Sequence, residues 1–164
     1  MRRFQLALVA PILATLCAPA AAQSADPMRF FAGRTESDGI VKVLFHKPYR
    51  THSASVGRIE PDGSLVLVQK VEDEGKPLLE RRWRVRETGP GHWTATMTQA
   101  VGPVAIDRVG DRYRFRFTMA GHLNVEQWLT PLPGASAAHT LIKVRKFGVT
   151  VATTEGTVRK VPGN

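Results

Sequence analysis

The sequence holds a single cysteine in 164 residues. That scarcity excludes an internal disulfide framework and a zinc site built on several thiolates. Aromatic side chains make up only 7%, and acidic residues are outnumbered, 14 Asp+Glu against 23 Lys+Arg. Long hydrophobic runs are also lacking. The longest, Phe4 to Ala18, has about 15 residues, where a helix that crosses a bilayer needs about 20. What is present, 43% apolar and 23% charged residues, excludes a disordered tail, a collagen-like fibre and a multi-span membrane protein. One domain of this length buries about 70% of its unfolded surface, enough for a core without staples. The net charge of +9 points to an anionic partner: nucleic acid, anionic lipid or an acidic ligand.

The first residues bear on the compartment. Met1-Arg2-Arg3 is a positive start, the uncharged run follows, and Ala20 and Ala22 satisfy the small-x-small rule for cleavage. Residues 1–22 therefore read as a secretory signal peptide, and 23–164 as the mature domain, periplasmic or secreted. Cys17 follows Ala14-Thr15-Leu16, a bulky Leu where a lipoprotein signal has Gly or Ala, so it reads as filler that leaves with the run. Loss of Arg2 and Arg3 lowers the charge from +9 to +7. Export removes nucleic acid as the natural partner.

After Asp26 no sustained 3.6-residue period appears. Apolar and polar residues alternate instead, with Gly and Pro as punctuation, which is the pattern of antiparallel β-structure. The clearest strand is 111–120. Tyr113, Phe115, Phe117 and Met119 point one way, and Arg112, Arg114, Arg116 and Thr118 the other. The segment 79–85 repeats the pattern, with Trp83 and Val85 opposed by Arg82, Arg84 and Arg86. Further strands are expected at 39–45, 49–59, 64–71, 92–98, 104–109, 123–129, 140–145 and 149–161, the last broken at Gly156. Turns are expected at Pro61-Asp62-Gly63, Asp73-Glu74-Gly75-Lys76-Pro77, Gly89-Pro90-Gly91, Gly102-Pro103 and Gly110-Asp111, and the longest loop at 131–139. Short strands on hairpin connections favour a meander, and closing it removes the exposed edges.

Phe30-Phe31-Ala32-Gly33 precedes the first strand, where an aromatic pair can plug the end of a barrel. The arrangement resembles the start of a lipocalin-like (calycin) barrel, although Arg34-Thr35 stands where such barrels have a Trp. Beyond it come Asp62-Gly63-Ser64-Leu65-Val66-Leu67, Arg81-Arg82-Trp83, Gly110 with Tyr113 and Phe115, Trp128, and Lys146-Phe147-Gly148. Together with Phe31-Ala32-Gly33, these pieces are similar to one uncharacterised family of proteobacterial envelope proteins, often lipoproteins. The resemblance implies an all-β fold, a single antiparallel up-and-down barrel of about 8–10 strands, and no particular activity. Where that family tends to carry carboxylates, this chain has amides at Gln69 and Gln127.

Alternation puts Gln69, Arg81 and Gln127 on apolar faces. A buried arginine without a partner is costly, and a ligand carboxylate or phosphate neutralises one through a bidentate pair. The candidate binding set is thus Arg81 as anchor, Gln69 and Gln127 as orienting amides, and Trp83, Trp93, Tyr113, Phe115 and Phe117 as an apolar wall. The bland alternative places Arg81 at the barrel mouth or paired with Glu126 or Glu80.

The remaining signals are weaker. No two of His46, His52, His92, His122 and His139 have metal-ligand spacing, so no metal or cofactor is expected. The serines lack a Gly-x-Ser-x-Gly elbow and the mature chain lacks a thiol, so no catalytic residue is assigned and the expectation is of a protein that is not an enzyme. The expected function is carriage of an apolar molecule with an anionic head, such as a fatty acid. The rival is an envelope structural or assembly protein with a filled barrel. The alternating arginines are expected outside, where they can meet an anionic membrane surface.

Overall fold

A computed structural model describes residues 26–162. The expected signal peptide, its cleavage site and Cys17 lie outside the described residues. No helix among the described residues is long and apolar enough to cross a membrane.

Ten antiparallel strands form a closed up-and-down barrel in which each is hydrogen-bonded to its chain neighbours, and the last meets the first. They are β1 (Gly33–Val43), β2 (Tyr49–Ile59), β3 (Leu65–Asp73), β4 (Leu79–Gly89), β5 (His92–Met97), β6 (Val104–Val109), β7 (Arg112–Met119), β8 (Leu123–Pro131), β9 (Ala137–Lys146) and β10 (Val149–Val161). The fold class is the expected one. The strands at 49–59, 104–109 and 149–161 coincide with their expected bounds. β1 begins six residues before the expected Gly39, because its polar start pairs with the end of β10, a long-range contact that alternation does not report. The loop after β8 is shorter than expected, since Thr130 already pairs with His139 and Pro131 with Ala138.

β10 is not broken at Gly156. That residue pairs with Gly39 on the closing seam. A Cβ on Gly156 would lie 2.2 Å from the Asp38 carbonyl oxygen and 2.8 Å from Gly39 Cα, so the β1 and β10 backbones approach this closely only with glycine there. The residue that looked like a strand breaker is what lets the barrel shut.

One short helix, α1 (Pro27–Phe31), caps one end. Asp26 accepts a hydrogen bond from the Met28 amide at 2.9 Å and Pro27 presets the first turn. Lys160 on β10 donates to the Arg29 carbonyl at 2.8 Å, a cation at the helix C-terminus. Five residues make no stable helix alone. Packing holds it: Phe30 and Met28 are buried among Leu65, Val85, Trp93 and Tyr113, and the Phe31 carbonyl sits where a Cβ on Gly57 would be. The expected aromatic plug is present, delivered by a helix.

Apolar side chains thus fill the half of the barrel next to α1. Arg82, Arg84 and Arg86 point outward, and their side chains are 74%, 49% and 60% exposed. Arg112 and Arg114 lie over the outward-facing Trp128 ring at 4.6 and 5.6 Å. Apolar inside and charged outside is the reverse of a barrel that spans a bilayer.

Candidate ligand-binding interior

Away from α1 many inward side chains are only partly buried, and they divide into two arcs. On β1 to β4 a polar chain runs across the strands, with the buried Val41 and Val71 beyond it on the side away from α1. The Ser37 and Ser53 hydroxyls lie 2.9 Å apart, Gln69 Nε2 donates to Ser53 Oγ at 3.2 Å, and Trp83 Nε1 points to Gln69 Oε1 at 3.4 Å. On β7 to β10 the inward residues at the same height are mostly apolar and half-buried, among them Phe117, Met119, Leu123, Ile142, Val144 and Ala152. The register puts Val125 beside Val144, and Gln127 and Thr154 on either side of Ile142, on one continuous wall.

Arg81 stands at the edge of the polar arc, directly across from Gln69 in the β3–β4 ladder. Its Nε donates to Gln99 Oε1 at 2.7 Å, its one protein partner among the described residues. The expected alternatives do not supply a carboxylate. Glu80 is 3.0 Å from Arg82, and Glu126 faces Arg145 at 4.0 Å. Burial pulls the Arg81 pKa below its ordinary value, and Asp73, beyond ion-pair distance, partly opposes that shift. The guanidinium is therefore largely desolvated and neutralised by no close anion. Its two terminal nitrogens have no protein partner among the described residues.

The other candidates separate by height. Trp83 and Phe117 meet edge to face at 6.1 Å, and both are only partly buried. Trp93, Tyr113 and Phe115 are 7%, 2% and 6% exposed, and lie deeper in the packed core, with Trp93 and Tyr113 in contact at 5.8 Å. Alternation gives the side of the sheet a residue faces and says nothing of its depth along the barrel axis. Gln127 lies on β8, four strands round from β4, and donates to Thr140 Oγ1 at 3.1 Å, so it is not brought to Arg81. Gln99 was not among the sequence candidates because it lies in the turn after β5. The inward phase of that strand, 93, 95 and 97, extended by one step would have reached it.

A separate hollow of about 940 Å³ lies on the seam between β10, β1, β2 and the β3–β4 turn. Its lining includes Asp38, His52, Glu72, Glu155 and Arg159, and none of Gln69, Arg81 or Gln127. Asp38 there accepts from His52 at 2.9 Å and Arg159 at 3.0 Å. His92 and His139 likewise face Asp107 and Glu155 at 3.0 and 3.2 Å, so three of the five histidines sit in exposed carboxylate pairs.

Residues 18–160 match the model of a family described as a protein of unknown function, DUF3833. The chain belongs to that family. No curated protein matches the sequence. Among solved structures, an S-type phycobiliprotein lyase, CPES, from Guillardia theta is similar at TM-score 0.62 and 7% identity, over 84% of this chain and 92% of that one. Rv2717c from M. tuberculosis is similar at TM-score 0.57 and 13% identity, over 86% and 99%. At such identities the likeness is one of fold, and the fold is the lipocalin-like barrel. It also corrects one expectation. A barrel of this shape is the fold of a lyase, so the lack of a nucleophile elbow and of a thiol in the barrel does not establish that the protein is not an enzyme.

Proposed function

We propose that the protein is exported and that the half of its barrel away from α1 takes up a small amphiphile, an apolar body with a carboxylate or phosphate head such as a fatty acid. One observation carries the reading: Arg81 is a largely desolvated cation whose one hydrogen-bond partner among the described residues is the neutral Gln99, beside a polar chain in an interior whose other arc is mostly apolar. An anionic head would engage the two terminal nitrogens of Arg81 in a bidentate pair, which relieves the uncompensated charge. Gln69, fixed by Ser53 and Trp83, would border the head, while the tail would lie along Phe117, Ile142 and Val144. Small-molecule sites are commonly built this way, mostly apolar with a few placed polar groups.

The test is native mass spectrometry of the protein purified from its own cell envelope. A co-purifying anionic amphiphile, absent from an Arg81→Ala variant that keeps its fold, supports the reading. The same spectra show whether that molecule leaves unchanged or converted. Absence of any ligand, with no change in thermal stability on adding fatty acids, overturns it. That result would favour the filled-barrel structural role, for which the packed half next to α1 already speaks.

A further inference from the structure

The end of the barrel opposite α1 carries the β1–β2, β3–β4, β5–β6, β7–β8 and β9–β10 turns. Two of them stand out. Phe45, in the β1–β2 turn, is 95% exposed, and Phe147, in the β9–β10 turn, is 82% exposed. Among the described residues they are the exposed large aromatics, and both have positive φ, 63° and 49°. A side chain with a Cβ is disfavoured in that region, and Gly or Asn serves a tight turn better. Among the described residues neither ring is packed into the core, so core packing gives no reason for phenylalanine at these tips.

The two tips are neighbours. β1 pairs with β10 up to Val43 and Ala152, and the Leu44 amide donates to the Val151 carbonyl at 2.9 Å. Leu44 and Val149, 47% and 59% exposed, widen the apolar patch. Cations flank it. Lys42 and Lys47 lie on one hairpin and Lys143 and Lys146 on the other, with Lys146 Nζ 5.7 Å from the Phe147 ring, while the segments 42–50 and 143–150 contain no acidic residue. Aromatic tips ringed by lysine are what an anionic lipid surface recognises: rings enter the headgroup layer and each ammonium near the surface adds attraction.

We propose that this end docks on an anionic phospholipid bilayer, with Phe45 and Phe147 inserted and the neighbouring lysines against the headgroups. The charge complementarity chooses the occupant, since a purely apolar partner would leave four lysines unused. The β3–β4 turn at the same end carries both Glu74 and Lys76, the latter paired with Asp73 at 3.2 Å, and adds no net positive charge to the patch. The mouth then faces the bilayer. The docking rests on the tips and not on the interior ligand, so either can fail alone.

The test places an environment-sensitive fluorophore on a cysteine at Phe45→Cys, in the full chain with Cys17→Ser. The control site is Asp111→Cys, in the β6–β7 turn at the α1 end. Vesicles are phosphatidylcholine alone or an equimolar mixture with phosphatidylglycerol. The expected result is a blue shift at position 45 on the anionic vesicles and none at 111. In the complementary series, Phe45→Asn and Phe147→Asn, unlabelled, keep or raise thermal stability and each weakens binding to the anionic vesicles about tenfold. A probe at 45 that stays in water on anionic vesicles, or an equal shift at 111, overturns the proposal. Concentration-dependent dimerisation that both Asn variants abolish, without any vesicle response, would assign the tips to a second copy of the chain and overturn it equally.

Discussion

Arg81 Nε lies 2.7 Å from Gln99 Oε1, so the most enclosed guanidinium of the barrel interior is held by a neutral amide. An amide satisfies one donor and leaves the charge. Without ligand, replacing Arg81 by Met should therefore not destabilise the fold, and should raise the urea midpoint by an amount worth up to about 2 kcal/mol. Gln99→Ala should lower stability by about 1–3 kcal/mol, because it strips a desolvated donor of its acceptor. Equilibrium unfolding of the two variants side by side checks the pair. A large loss for Arg81→Met would mean the charge is compensated.

The glycine pair on the seam predicts a second result. Gly156→Ala puts a methyl 2.2 Å from the Asp38 carbonyl oxygen, backbone that cannot swing aside. The cost should reach or exceed the upper end of the about 1–3 kcal/mol typical of overpacking. Gly63→Ala meets nothing within 4 Å and bears only its positive φ of 78°, so it should cost about 1–2 kcal/mol. Thermal unfolding that ranks the two the other way would show the seam to be looser than described.

Thr35 is 1% exposed, and its hydroxyl has no hydrogen-bond partner among the described residues. Valine has nearly the same shape and no polar atom to desolvate. Thr35→Val should stabilise the protein by about 1 kcal/mol, read as a shift in denaturant midpoint at constant slope.

Acid stability should fall in a defined range. Asp38 and Asp107 are held below the usual 3.8 chiefly by hydrogen bonds from His52 and His92, and Asp62 by bonds from Ser64. A depressed folded pKa means that the unfolded chain binds the proton more readily. The contribution is full above pH 3.8 and drains away as the pH falls through the lower folded values. Each group is solvent-exposed enough for the individual effect to be small. Asp107→Asn, which also releases Arg116 at 2.8 Å, should flatten the fall in unfolding free energy below about pH 4, measured by urea titration at successive pH values. An unchanged slope would mean that the carboxylate gains nothing on folding.

Legibility in the sequence followed the range of the interaction. Alternation over 112–119 and 79–85 reported which residues face inward, because the period of a strand is set by its own backbone. It also put Arg81 on the apolar phase and the flanking arginines outside. It did not report depth, so Trp93, Tyr113 and Phe115 joined Trp83 and Phe117 in one expected wall, when the closed core takes the first three. It did not report Gln99, since the inward phase of 93, 95 and 97 was not carried past the end of the strand into the turn.

By itself the sequence determined the all-β class, the inward phase and the outward arginines, which follow from local periodicity and turn chemistry, while the barrel was what the resemblance of its motifs implied. Only the tertiary structure decided that β10 closes on β1, that the half next to α1 is solid, that Gln99 rather than a carboxylate meets Arg81, and that two phenylalanines stand together in solvent. Each of these depends on residues far apart in the chain reaching the same height on a curved sheet, and that stagger is fixed only when the barrel shuts.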